Sequence, residues 1–485
     1  MHRREFATTL LGGLGGSMLA QAQDRQKLVA WMYMIFPLEQ WLDDYERTLD
    51  AWGEGGVRGI VIGPLRFWDG PPSFDFTYRR AGARFGTFAP DAKIYREMGV
   101  DPPAAMPLDA AKEKKLRGLM DSIKRRGWEL MLFGPGYYGV RKSAQQDPFG
   151  ALALGAGVRD TMRAFPQADG VIVDGAGEQH YELDFHHGGE LFEIRDHHKA
   201  LMQQLGFDVA RMERGMEHMR QRFHSLTPSL VRYHADGGML GGLSLFDMNE
   251  DSLYWLRMRQ ELTLRTMQAM RGEIDKISPK PKLGTIPRAA TFSVLTTQDY
   301  QKTHGYFDLM FPKHYFWHRG FDGMYGSIAR WVKTIGEWNS SLSERDCFAV
   351  VKSWFGLELP GVHSLADMEM GFPEEFFTKV VYSQTRRALA AIGNPDKVIA
   401  WVSTGRNPHA GDPMPARDLH HILTESHRAG LKRFIFHPDV NLGAAEWSVI
   451  SSVCGKPWKE DPKGYWPPDT PKPDTWNGGR VAPKR

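Results

Sequence analysis

The chain has 485 residues, with 61 Lys and Arg against 58 Asp and Glu, a formal charge of +3. So balanced a surface argues against nucleic acid or an anionic membrane as a partner. Two cysteines, Cys347 and Cys454, allow one disulfide at most and no cysteine metal pair.

The first 22 residues read as an export signal. Arg3-Arg4 is followed by Phe6, an apolar, glycine-rich run from Ala7 to Leu19, and Ala20-Gln21-Ala22 as a small-x-small cleavage site. The basic pair resembles the twin-arginine address, which carries folded proteins, so a periplasmic or extracellular location is expected. The apolar run is shorter than the ~20 residues that span a bilayer, and no later window reaches that length, so no membrane anchor is expected. Both cysteines lie among apolar residues and are expected as buried free thiols.

Next comes an alternation of apolar, Val/Ile/Phe-rich runs with amphipathic stretches. The strand runs are Leu28 to Ile35, Gly59 to Gly63, Glu129 to Phe133, Gly170 to Asp174, Lys282 to Ile286, Phe307 to Phe311, Val398 to Val402 and Arg433 to His437. Helical patterns lie between and after them: 38–52, 110–126, 158–165, 252–277, 297–303, 324–338, 373–392 and 416–429. Short strands joined by helices pair in parallel through right-handed crossovers. Eight such units specify an α/β fold, a (β/α)8 or TIM barrel, over residues 23–455. Cys347 to Phe355 is apolar enough for a ninth strand, but Ser343-Glu344-Arg345-Asp346 before it is a helix start, so it reads as an extra helix.

Two connections exceed simple loops: 64–108, rich in aromatics, after the second strand, and 175–250, with a helical pattern at 209–223, after the fourth. The second is expected to form a lid. Insertions of this kind gather at the C-terminal face of such barrels, where binding and chemistry are built. The Pro- and Lys-rich residues 456–485 read as an extended tail.

Polar residues just past each strand face that mouth. Asp174 and Glu178 follow the fourth strand among glycines, with His180 close behind. Glycosidic cleavage uses two carboxyl groups across the scissile bond; here Asp174 and Glu178 supply one, and Asp439 or Glu446, after the eighth strand, the other. The alternative is a capping Asp174 and a solvated Glu178. Lys313, His314, Tyr315 and Trp317 crowd the end of the sixth strand, and a Lys in an apolar context needs a cleft or a partner. Trp31, Tyr33, Arg66, Trp68, Arg288 and His437 complete the expected lining, with aromatic faces for sugar rings. The histidines from His186 to His198 invite a metal, but adjacent pairs cannot both face one ion, and no metal is expected. Without a dinucleotide, Walker or serine-elbow motif, no cofactor is expected.

The segments Asp169-Gly170-Val171-Ile172-Val173-Asp174, Trp255 to Arg259 and Asp308 to Tyr315 resemble the glycoside-hydrolase-like barrels of secreted bacterial proteins, over roughly residues 27 to 450. The resemblance implies a sugar site at strands four and six. It departs from many retaining members in lacking an Asn-Glu pair after the fourth strand. The expectation is a secreted glycoside hydrolase acting on a carbohydrate; the alternatives are a non-catalytic carbohydrate-binding barrel and a metal-dependent isomerase or hydrolase.

Overall fold

The computed structural model describes residues 27–34, 38–67, 85–134, 147–183, 190–194, 196–316, 323–403, 416–438, 442–459 and 464–465. The expected export signal and most of the tail lie outside them. Every expected strand forms: β1 Val29–Met34, β2 Val57–Ile62, β3 Glu129–Phe133, β4 Gly170–Asp174, β5 Lys282–Ile286, β6 Leu309–Met310, β7 Ala400–Ser403 and β8 Arg433–His437. All pair in parallel, in the spatial order β6-β5-β4-β3-β2-β1-β8-β7. Bridges from Met310 to Val398 and from Lys313 to Trp401 close β6 onto β7. The result is a (β/α)8 barrel, and its strands are continuous apolar runs because both faces are buried.

The side-chain period of two splits each strand between barrel interior and helix layer. Trp31, Val61, Met131, Ile172, Ile286, Phe311, Trp401 and Ile435 fill the interior. Trp31 fits because Gly59 lies opposite it in register, and Phe311 packs over Gly284; the two rings then meet edge-on at 6.1 Å. A Cβ on Gly59 would sit 2.2 Å from the Trp31 indole. Gly59→Val is therefore expected to lower stability by about 3 kcal/mol through overpacking, read as a fall in the urea midpoint at unchanged m-value.

The surrounding ring comprises α1 Tyr45–Glu54, α2 Ala110–Arg125, α3 Ala151–Ala164, α4 Glu250–Ile274, the single turn α5 Tyr300–Thr303, α6 Tyr382–Ile392, α7 Ala416–Arg428 and α8 Ala444–Cys454. Caps set several starts. Asp109 accepts the N–H groups of Ala111 and Lys112, and Asn249 accepts that of Ser252. α3 begins earlier than its periodicity implies, because the Asp147 carboxylate holds the N–H groups of Leu152 and Ala153. α5 is shorter than expected: Thr297 adopts φ 68°, a left-handed conformation that interrupts the helix.

The apolar segment after Ser343 is a helix, Glu344–Phe355, with Ser343 and Asp346 forming a reciprocal capping box. Cys347 on it and Cys454 on α8 are buried and free. The insertion after β4 contributes helices Asp196–Gln204, Val209–Phe223, Pro228–His234 and Gly238–Leu245. Phe223 packs against Trp331 and Trp354 from the segment after β6, so the insertion after β4 and the helices after β6 share one helical cap.

Candidate active site

Ile172 faces the barrel interior, so Asp174, two residues on, points into the mouth at the end of β4. Its side chain is 38 % exposed, and Oδ1 lies 3.2 Å from Nζ of Lys313, which is 4 % exposed. Burial lowers the Lys313 pKa, and the Asp174 carboxylate opposes that shift. This ion pair bridges β4 and β6.

Gly175 (φ 63°) and Gly177 (φ 65°) turn the chain where a side chain would be strained. The turn is anchored from outside: Thr263 donates to the Gly177 carbonyl at 2.7 Å and Gln298 to that of Ala176 at 3.0 Å. It delivers Glu178 to Arg288, whose Nε donates to Oε1 at 2.5 Å; the two side chains are 10 % and 4 % exposed. The guanidinium also lies over the Tyr181 ring, 5.7 Å from its centroid. Burial alone would lower the Arg288 pKa, but Glu178 outweighs it and raises it.

A third carboxylate escaped the reading of the sequence. Glu182 is fully buried, accepts the N–H of Tyr181 at 3.0 Å and lies 3.4 Å from His180 Nδ1. Burial raises its pKa, but the His180 hydrogen bond and the Arg288 charge prevail and hold it at about 2. The nearby Tyr181 hydroxyl is 2.5 Å from Ser327. The only signal for Glu182 was its place in the polar run after Asp174.

Across the mouth, β8 stands four strands from β4 in either direction around the barrel. His437 ends β8, with Nδ1 3.3 Å from the Tyr315 hydroxyl. Its ring meets that of Tyr33 at 5.0 Å, and Tyr33 meets Trp401 at 5.1 Å. These rings form an aromatic floor opposite Asp174.

Three expected site residues are placed elsewhere. His314 points away from the mouth, because alternation puts Phe311, Lys313 and Tyr315 inside and His314 with Phe316 in the helix layer. Trp31 is buried in the interior one layer below Tyr33 and close to Arg433 at the start of β8, too deep to reach a ligand. Glu446 is 3 % exposed; its Oε2 accepts the Gly443 N–H at 2.7 Å, so it caps α8 outside the barrel. Arg66 lies on a short hairpin strand, Arg66–Phe67, paired with Phe85–Gly86. Asp439, Trp68 and Trp317 fall outside the described residues.

Burial depresses His314 to a pKa of about 3. The unfolded chain binds this proton near pH 6.5 and the folded chain does not, so stability is complete above that pH and falls as the pH drops toward 3. Glu182 acts in the same direction, its contribution being present above about 4.5 and lost as the pH falls toward 2. The urea midpoint is expected to fall steadily from pH 6.5 to 4, by up to roughly 4 kcal/mol of stability, and His314→Leu to flatten that part of the profile.

Among the described residues, no group of three or more His, Cys, Asp or Glu side chains could hold a metal ion; Asp184 to Gly189 lie outside them. No described helix is long and apolar enough to cross a membrane. The molecule is thus an α/β barrel whose C-terminal mouth carries interleaved carboxylates and cations over an aromatic floor. No family model matches the sequence, and no curated protein does so either.

Similar solved structures include the PgaB (BpsB) glycoside hydrolase domain from Bordetella bronchiseptica, at 11 % identity and TM-score 0.41, covering 88 % of this chain and 99 % of that one. A β-galactosidase from the psychrophilic Marinomonas ef1 shares 10 % identity at TM-score 0.44, covering 88 % of this chain and 59 % of its own. The Bacillus cereus spore cortex-lytic enzyme SleL shares 8 % at 0.37, covering 89 % and 75 %. None of these three reaches a TM-score of 0.5, and the chemistry of the site rests on its own side chains.

Proposed function

We propose that the protein is an exported hydrolase of glycosidic bonds, with Asp174 as the carboxylate that acts on the anomeric carbon or its attacking water. The observation that carries this reading is the accessible Asp174 carboxylate beside a buried Lys313, facing an aromatic floor across the mouth. A carboxylate left open to the mouth at a strand end suits a nucleophile or general base. Glu178 is committed to Arg288 and only 10 % exposed, so it is not open to a substrate. It positions the guanidinium and the β4 turn. In this reading the acid comes from the opposite wall, where Asp439 follows β8 in sequence, and it protonates the leaving oxygen as the glycosidic bond breaks.

Tyr33 and His437 supply the apolar surface, and His180 and Tyr315 the polar edges, for a sugar ring. Export of the folded chain is part of the proposal and rests on the Arg3-Arg4 signal. The test is turnover of aryl α- and β-glycosides and of plant and microbial polysaccharides by the purified full chain and by Asp174→Asn. Turnover that Asp174→Asn abolishes supports the reading. Saturable sugar binding without turnover on any substrate would replace it with a carbohydrate-binding barrel.

A further inference from the structure

The helix ring is incomplete between α4 and α6, because the β5–β6 crossover offers only short helical turns, Ala290–Ser293 and α5. Helices Gly238–Leu245, from the insertion after β4, and Glu344–Phe355, after β6, border the slot. There the chain encloses a cleft of about 1120 Å³ whose walls include Met239, Leu243, Leu256, Leu295 and Trp354. That is slightly above the ~300–1,000 Å³ typical of a site for a small organic molecule. Met239 is 78 % exposed at its rim and Val294 52 %.

One cation is built into this apolar wall. Arg259 lines the cleft and is 6 % exposed. Its Nη2 donates to the His180 carbonyl at 2.6 Å, and the guanidinium makes no ion pair among the described residues. A buried cation without a counter-charge costs free energy that a bound anion would recover. Lys352 and Arg387, also on the walls, make no ion pair among the described residues. The acidic groups there are Asp236, Glu358 and Glu375, the last held by Lys379. This balance suits one negative charge rather than a polyanion.

We propose that the cleft is a second binding site, separate from the mouth, for an apolar molecule bearing one carboxylate. Its acyl or aryl body lies among Met239, Leu256 and Trp354, and its carboxylate pairs with the Arg259 guanidinium. A charge-assisted hydrogen bond from a desolvated guanidinium is the strongest polar contact such a wall can offer.

The experiment is calorimetric titration of the full chain with dodecanoate, below its micelle concentration, and with dodecan-1-ol. The expected result is one dodecanoate per chain, bound at least about tenfold more tightly than the alcohol, a preference that Arg259→Met removes. Gly242→Phe gives a readout independent of Arg259. A Cβ at Gly242 has 3.7 Å to the Ser353 hydroxyl, so the helix has room for a side chain there, which takes up part of the cleft. This variant is expected to bind both probes more weakly while keeping wild-type turnover at the mouth. The proposal is overturned if wild type does not bind dodecanoate, if it binds the alcohol equally well, or if Gly242→Phe binds dodecanoate as wild type does. Self-association of wild type through the cleft, abolished by Met239→Glu, would also overturn it and make a second copy of the chain the occupant.

Discussion

Asp174→Asn is expected to lower kcat on any glycoside the protein turns over by about 10³-fold, within the range a positioned acid–base or nucleophilic side chain contributes. That is about 4 kcal/mol of transition-state stabilisation. Asn keeps the shape of Asp but cannot carry the charge that attacks the anomeric carbon or takes a proton from water. The exposed side of Asp174 is solvated, so the fold is expected to survive. The strain falls on Lys313, left buried without its carboxylate. Removing that ammonium as well, in Asp174→Asn/Lys313→Met, is expected to restore the urea midpoint without restoring turnover. If the double variant recovered activity, Asp174 would be a structural partner of Lys313 only.

Arg288→Met is expected to cost about 3–5 kcal/mol of stability, the usual effect of breaking a buried ion pair from one side. Glu178 would be left 10 % exposed without its cation, and Glu182 would lose a charge that helps hold it ionised. The ring of Tyr181 would lose the guanidinium above it. Replacing both partners, Arg288→Met/Glu178→Gln, is expected to recover most of the loss, because no charge is then stranded. Chemical denaturation of the three variants at pH 7 measures the coupling. Near-additive losses would mean that the pair does not act as a unit.

Several helix starts were legible in the residues because their causes are local. Ser343 and Asp346 close on each other within one turn, which is why an apolar stretch that resembles a strand becomes a helix. α3 was placed less well: its run of Ala and Gly has little amphipathic contrast, and its start depends on Asp147 folding back onto it.

The site was half legible. Asp174, Glu178, Arg288 and Lys313 stand at strand ends, and the sequence alone places them at one end of the barrel. It also puts Lys313 and His314 on opposite faces of one strand, but not which face is inside. Closure of β6 onto β7 decided that, sending the ammonium to Asp174 and the imidazole into the helix layer. Glu446 looked like a second carboxylate because it follows β8, yet its own helix terminus captures it.

The amino-acid sequence by itself determined eight buried strands, their order and the residues at their ends, because periodicity, caps and turns act over a few residues. Only the tertiary structure decided the depth of Trp31, the pairing of Glu178 with Arg288, the burial of Glu182 and the cleft beside Arg259. Each depends on how the barrel closes and on the insertion after β4 packing against the helices after β6, and contacts between residues tens to hundreds of positions apart leave no local pattern to read.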